Sequence, residues 1–250
     1  YSALGDVPPF GLLTPTQFLP AAPPQLDSAE YADDFNEVKI VGRANSTTRT
    51  PEQTRLAQLF AGAGAFANIT NPFRLWQGVA RDVAQARHLS LADTARLFAL
   101  LTTSIHDGLQ ASHTSKFIYR LWRPETAIAQ AAIDNNADTD ADSQWQPLIV
   151  TPPYPSHSSN MACIGASAAR MLADVFGTDS VPFTATWVNS SAAVVHSQPY
   201  TSFWAMAVDE GNSRVFGGVH FRFELTAAQD TCRRVADFIF ANHMRVRADR

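Results

Sequence analysis

The chain has 250 residues, of which 46% are hydrophobic, and a formal net charge of −4. This length is enough for one large domain with its own core, and the hydrophobic content excludes a disordered chain. The charge leaves no basic surplus to follow a phosphate backbone, so nucleic-acid binding is not expected. The longest apolar runs, such as Leu97–Leu101, are far shorter than the roughly 18 residues of a membrane span.

The N-terminal segment is rich in proline and aromatic residues and has no periodicity. We therefore predict that residues 1–27 form an extended arm lying over the protein. No linker is evident after it, so residues 28–250 are predicted to form a single domain. The chain begins with Tyr1 in place of methionine, which is consistent with removal of a leader.

Helical signals dominate the first half of the domain. Ser28 is a candidate N-cap for a helix with its apolar residues at helical spacing, and Thr50–Gln53 is a capping box with proline at the first helical position. Ser90–Asp93 resembles a second box and opens the clearest helix. The apolar stripe of that helix is predicted to contain Leu91, Ala95, Phe98, Leu101, Ile105 and Leu109.

The second half combines a long loop with two more helices. Residues 131–158 are rich in acidic residues and proline and predict an ordered loop, followed by a helix over 159–175 that ends at Gly177. Thr226 is expected to open the last helix. Cys163 and Cys232 fall on apolar stripes, which favours buried free thiols over a bridge. Few strand patterns are present, so the predicted class is mainly α, a helical bundle.

The first segment with chemical character runs from Lys116 to Pro124. Lys116 and Arg123 lie seven positions apart, which is two helical turns, so both cations are predicted to share a helix face, and Pro124 marks the helix end. The residues between them are mostly apolar. Because a buried cation is costly unless it is paired, an anion is expected beside this helix.

The second segment is Thr151–Met161. A proline-rich entry delivers Ser159 and Asn160 to a helix start, where backbone N–H groups and the helix dipole favour an anion. The hydroxyl of Ser159 is equally a natural N-cap.

The third segment is Ser213–Glu224. It places Arg214, two glycines and His220 close together in sequence, and Glu224 follows His220 by four residues. On a helix, that carboxylate would hold one ring nitrogen of the histidine and raise the basicity of the other.

Together these segments resemble the vanadium-dependent haloperoxidase and type 2 phosphatidic acid phosphatase superfamily, whose signature is K-x6-R-P, P-S-G-H and S-R-x5-H-x3-D. The chain matches the first part completely. It matches the third part except for Glu224 in place of aspartate. The stretches Trp122–Ile128, Asp142–Leu148 and Ser213–Phe221 look most like the soluble bacterial haloperoxidase-like branch.

The middle motif allows two alignments. One places Pro155-Ser156-His157 on P-S-(G)-H with one residue missing, and the other places Ser159-Asn160-Met161 on S-G-H without a gap. We prefer the second, which puts Met161 at the position of the family's acid–base histidine. His157 is then the candidate substitute, and core packing is the alternative role of Met161.

The resemblance implies a role for each matching residue. Lys116, Arg123 and Arg214 would neutralise a tetrahedral oxyanion, vanadate or phosphate, with hydrogen bonds from Ser159 and the Asn160 backbone. Sulfate could occupy the same site. Lys116, His220 and Glu224 are the expected catalytic residues: His220 would attack phosphorus or bond axially to vanadium, and Glu224 would orient it.

The resemblance therefore implies an enzyme that binds vanadate and oxidises halide with hydrogen peroxide. One alternative is a soluble phosphatase acting on phosphate esters through a phosphohistidine at His220. Another is a catalytically impaired oxyanion-binding relative, because Met161 cannot carry a proton near neutral pH. The expected partners are small-molecule substrates and, as one option, a second copy of the chain. The branch suggests a secreted or periplasmic location.

Overall fold

Helices dominate the structure, a computed structural model that describes residues 7–245. This confirms the predicted class. The helices of the described residues are α1 (Ala29–Val41), α2 (Pro51–Ala61), α3 (Pro72–Ala86), α4 (Leu91–Tyr119), α5 (Pro124–Ala129), α6 (Asn160–Phe176), α7 (Phe203–Phe216) and α8 (Arg222–Asn242). The strands are β1 (Phe183–Val188) and β2 (Val194–Tyr200), and single 3₁₀ turns occupy Gly64–Phe66 and Ala131–Ile133.

The helix starts follow the capping signals of the sequence. The Ser28 hydroxyl accepts a hydrogen bond from the Tyr31 amide at the start of α1, and α2 has the full Thr50–Gln53 capping box. Ser90 caps α4, and α6 ends at Gly177 in the left-handed conformation (φ 72°). These four predictions are confirmed, and the three N-caps satisfy backbone N–H groups that a helix start otherwise leaves unpaired.

The centre of the molecule is formed by α4, α6 and α8, which pack on one another, with α7 against α6. Gly108 of α4 lies where these helices approach most closely: a Cβ there would meet Ser167 Oγ at 2.5 Å. Cys163 of α6 and Cys232 of α8 form a disulfide at this crossing. The prediction of free thiols is therefore wrong, because the two apolar stripes that carry the cysteines face each other.

Two apolar clusters fill the interior. The larger joins α3, α4, α6, α7 and α8 and includes Trp76, Leu101 and Met206. The smaller packs α1 against α5 and the loops, and includes Tyr31 and Trp145. The functional segments lie at the ends of α4 and α7 and at the starts of α6 and α8.

Two details of the helices differ from the predictions. The start of α4 projects from the bundle, so Leu91 is 88% exposed and Ala95 is also exposed. The last helix begins at Arg222, not at Thr226. Its early start is stabilised by carboxylates from outside the predicted cap: Asp34 Oδ2 accepts from the Phe223 amide at 2.5 Å, and Glu224 Oε1 accepts from the Phe221 amide at 2.9 Å.

The sequence analysis also missed the hairpin of β1 and β2. The strands pair antiparallel, with Phe183 opposite Tyr200 and an irregularity after Trp187. Both strands are largely exposed on one side and short, so their alternation is weak in the sequence, and their pairing depends on packing of Trp187 against the helices.

The proline-rich N-terminal segment lies against α4. The backbone amides of Phe10, Gly11 and Leu12 in this segment donate hydrogen bonds to the two carboxylate oxygens of Asp107 at 2.7–2.9 Å. Residues 1–6 of the predicted arm lie outside the described residues, and the division into arm and domain stays a prediction. Within residues 7–245, no helix is both long and apolar enough to cross a membrane.

Candidate functional site

The three chemical segments converge at one buried place. Lys116 lies in the last turn of α4, Arg214 in the last turn of α7, and His220 directly before α8. The prediction that Arg123 shares a helix face with Lys116 is wrong, because Arg123 lies beyond the end of α4. The helix ends at Tyr119 because Arg120 adopts a left-handed conformation (φ 52°), and Arg123 becomes the N-cap residue of α5. It reaches the same place from the following segment.

Lys116 has no exposed surface, and its ammonium group binds backbone oxygens of the loop before α6. Nζ donates to Ser156 O at 2.6 Å and also to Ser158 O. Burial lowers the pKa of Lys116 well below its usual value, and the charges of Arg123 and Arg214 act in the same direction. Loop carbonyls therefore anchor a lysine that other cations surround.

The two arginines leave N–H groups without a hydrogen-bond partner in the described part of the chain. Arg123 donates from Nε to Tyr154 O at 3.0 Å and from Nη1 to Val219 O at 2.8 Å, whereas its buried Nη2 has no partner. Arg214 is 7% exposed and its buried Nε also has none. Burial, followed by the charge of Arg123, lowers the pKa of Arg214 to about 10. Such unpaired donors are rare in protein interiors.

His220 lies between a cation and a carboxylate. Its Nε2 is 3.0 Å from Arg123 Nη1, which can only donate, so Nε2 accepts and the ring proton belongs to Nδ1. Nδ1 is 3.0 Å from Glu224 Oε2. Burial lowers the pKa of His220 well below its usual value, and Arg123 and Lys116 lower it further. The imidazole is therefore neutral at pH 7.

Glu224 reaches His220 from the first turn of α8. His220 itself precedes that helix. The prediction that both residues lie on one helix is therefore wrong. Burial raises the pKa of Glu224 to about 7, against the opposing effect of Arg123 and Lys116. The longer side chain of glutamate, compared with the family's aspartate, still brings a carboxylate oxygen to 3.0 Å from the ring.

Ser156 belongs to this cluster and was not a candidate in the preferred alignment. Its hydroxyl donates to Glu224 Oε1 at 2.7 Å and lies 3.5 Å from His220 Nδ1. The sequence contained a signal for it, because the alternative alignment placed Ser156 on the serine of P-S-G-H.

The start of α6 contains the other predicted residues. Ser159 is fully buried and is the N-cap, and its hydroxyl accepts from the Ala162 amide at 3.4 Å. Asn160 begins the helix, and Ser112 Oγ donates to its Oδ1 at 3.0 Å. Met161 is partly buried and packs against the larger apolar cluster. The core role that we considered for Met161 is therefore present.

His157 is turned toward the N-terminal segment. Its Nε2 lies 2.7 Å from Ala21 O, and its ring packs between Tyr119 and Phe223. Burial lowers the pKa of His157 to about 4. It lines a surface cleft of about 440 Å³, which Lys116 and His220 do not line.

Comparison with known proteins assigns the chain to a family. Residues 96–249, more than half of the chain, match the family model of the VCPO second helical-bundle domain. The chain belongs to this family. This also confirms the resemblance to the vanadium haloperoxidase superfamily.

Individual relatives share the fold at low sequence identity. The vanadium chloroperoxidase of Curvularia inaequalis is 26% identical over 273 residues, which cover 87% of this chain and 45% of that protein. A bacterial vanadium-dependent iodoperoxidase structure superposes with a TM-score of 0.81 at 24% identity, over 96% of this chain and 57% of the other. A holo-type bacterial vanadium-dependent chloroperoxidase gives 0.73 at 16% identity, over 96% and 54%. The chain thus spans about half the length of these relatives.

Proposed function

We propose that the chain binds vanadate and oxidises halide with hydrogen peroxide. One observation carries this proposal: separate segments bring Lys116, Arg123, Arg214 and His220 into one buried cluster. Burial of several cations costs free energy unless an anion joins them. Family membership and the names of the relatives further support vanadate as that anion.

The donors of the cluster fit a tetrahedral oxyanion. Arg123 Nη2 and Arg214 Nε are buried N–H groups without partners, and oxyanion oxygens accept such bonds strongly. The backbone N–H groups at the start of α6, next to Ser159 and Asn160, would add further donors. These groups would hold the oxygens of the anion and neutralise their charge.

His220 would hold the vanadium through Nε2, which carries a lone pair while Nδ1 carries the proton, in place of its present contact with Arg123 Nη1. Glu224, itself held by Ser156 and the Phe221 amide, places Oε2 3.0 Å from Nδ1, and this nearby oxygen favours the tautomer with the proton on Nδ1. When bound, vanadate would supply a Lewis acid that polarises peroxide. The chain's own contribution is to bind, orient and neutralise.

Two alternatives use the same cluster. A phosphatase would use the lone pair of His220 to attack phosphorus. A binding protein with little turnover is favoured by Met161, whose side chain packs in the apolar cluster and transfers no proton.

Assays of halide oxidation and phosphomonoester hydrolysis, each with and without orthovanadate, separate these functions. We expect oxidation of at least one halide only when vanadate and peroxide are both present. The replacement Arg214→Ala should weaken the binding of vanadate about 10–100-fold, because a hydrogen bond to a charged group is worth ~1.5–3 kcal/mol.

Arg87→Ala provides the matched control, because Arg87 is exposed at the end of α3. Its affinity for vanadate should equal that of the unmodified protein. Hydrolysis without vanadate would instead support the phosphatase, and binding without either activity would support the non-catalytic relative.

A further inference from the structure

Halide oxidation, the function proposed above, consumes a proton. In the net reaction a halide ion, hydrogen peroxide and one proton give hypohalous acid and water: the halide loses two electrons, the peroxide O–O bond breaks, and one oxygen leaves as water. A side chain that delivers this proton typically accelerates such a step about 10²–10⁴-fold. The two obvious positions do not supply it. Met161 has no titratable group, and His157 is directed to Ala21 O.

We infer that His113 is the acid–base group of this site. His113 is 4% exposed on α4, three residues before Lys116, so the two side chains share a helix face. Its ring centroid lies 5.7 Å from that of Tyr154. The same Tyr154 ring lies 5.1 Å from Arg123 Cζ and 5.5 Å from Lys116 Nζ, which places His113 beside the cation cluster.

The start of α6 fixes the orientation of this histidine. Ser112 Oγ donates to Asn160 Oδ1 at 3.0 Å and so directs the amide Nδ2 toward His113 Nδ1, 3.4 Å away. Nδ1 then acts as the acceptor, and the neutral ring carries its proton on Nε2. Asn160 directly follows Ser159, the predicted oxyanion ligand. His113 is thus connected to the start of α6, which contains Met161.

The sequence spacing hides this arrangement. His113 and Met161 lie forty-eight positions apart along the chain, because the short helix α5 and the long loop lie between α4 and α6. The ring of His113 contacts Tyr154, and the charged groups of the cluster on the other side of that tyrosine come from several elements: Lys116 on α4, Arg123 before α5, Arg214 on α7, and His220 and Glu224 at α8. Any pH effect of His113 must therefore be measured as a difference between variants.

Sulfate binding tests the inference without any turnover. Sulfate keeps one charge state from pH 5.5 to pH 8, whereas an ordinary histidine changes its charge in this range. If His113 faces the bound anion, the replacement His113→Gln should weaken the binding of sulfate about tenfold at pH 5.5, which corresponds to about 1.4 kcal/mol for one charge-assisted contact. At pH 8 the same replacement should weaken the binding of sulfate less than about twofold. His88→Asn, at an exposed histidine, should change neither affinity.

Histidine resonances of the unmodified protein give a second test that does not depend on the folding of a variant. The pKa of His113 should rise when sulfate saturates the site, because the bound anion stabilises the imidazolium. An unchanged pKa of His113, or equal pH dependence of sulfate binding in His113→Gln and the unmodified protein, would overturn the inference.

Turnover then separates this inference from the proposed function. If the unmodified protein oxidises halide, His113→Gln should lower kcat about 10²–10⁴-fold at unchanged vanadate affinity near pH 8. Adding Met161→His to this variant should restore activity. Loss of activity in His157→Gln but not in His113→Gln would assign the proton transfer to His157 and contradict our inference. If no variant oxidises halide, the proposed function fails, and the sulfate result alone decides the role of His113.

Discussion

At the scale of single residues, two buried glutamates both have raised pKa values but contact different parts of the cluster. Glu224 is held by Ser156 and the Phe221 amide beside His220. Glu210 lies one helical turn before Arg214, where Oε2 accepts from Trp76 Nε1 at 2.7 Å. Burial raises the pKa of Glu210 to about 8, although Trp76 and Arg214 act against this rise. Glu210 is therefore protonated at pH 7 and leaves the charge of Arg214 for an external anion.

This protonated glutamate predicts a pH dependence of stability. Folding raises the pKa of Glu210 above its ordinary 4.5, so the folded state retains a proton that the unfolded chain has released. The stabilisation is complete below pH 4.5 and is lost as the pH rises toward 8, at up to about 1.4 kcal/mol per pH unit. Replacement Glu210→Gln should flatten this decline when unfolding by urea is measured between pH 5 and 8.

The surface variant Glu52→Gln is the control for that measurement. Arg55 lowers the pKa of Glu52, so this carboxylate has already ionised by pH 5 in both states. An equally steep decline in Glu210→Gln and in the unmodified protein would show that Glu210 ionises normally.

The identity of the candidate residues could be predicted from the sequence, but their contacts could not. Lys116, Arg123, Arg214 and His220 were listed because their motifs match the superfamily signature. Ser156 and His113 were not on that list, because each joins the cluster through the tertiary path of the loop before α6. Hydrogen bonds between distant segments leave no periodic signal.

At the scale of elements, the crossing of α4, α6 and α8 sets where the functional segments meet. The starts of α1, α2, α4 and α6 could be predicted, because their caps are local. The end of α4 could not, since it depends on the left-handed conformation of Arg120 rather than on Pro124. The N-terminus of α8 depends on Asp34 of α1, far away in sequence.

Two helical glycines test the close packing of this crossing. Replacement Gly108→Ala should destabilise the protein by about 1–3 kcal/mol, because its Cβ would lie 2.5 Å from Ser167 Oγ and 3.2 Å from Cys163 Sγ. At Gly78 of α3 a Cβ would meet no atom within 4 Å. Gly78→Ala should therefore stabilise the protein by about 0.5–1 kcal/mol through helix propensity alone.

Thermal or urea unfolding measures the free energies of unfolding of both variants and so tests the two predictions. If Gly108→Ala were as stabilising as Gly78→Ala, the three helices could not approach as closely as described.

At the scale of the whole molecule, the helical class followed from the capping signals and apolar periodicity. The hairpin and the Cys163–Cys232 disulfide did not, because both depend on which faces meet after folding. The secreted or periplasmic location stays a prediction, with which a disulfide is consistent, since disulfides persist in oxidising compartments. A dimer also stays a prediction.

The central claim is that these separate segments form one oxyanion site. A crystal soaked in orthovanadate and measured at the vanadium absorption edge tests it directly. We predict one vanadium peak at bonding distance from His220 Nε2, with its oxygens near Arg123 and Arg214. A peak elsewhere, such as in the cleft beside His157, or no peak at saturating vanadate, would contradict the account.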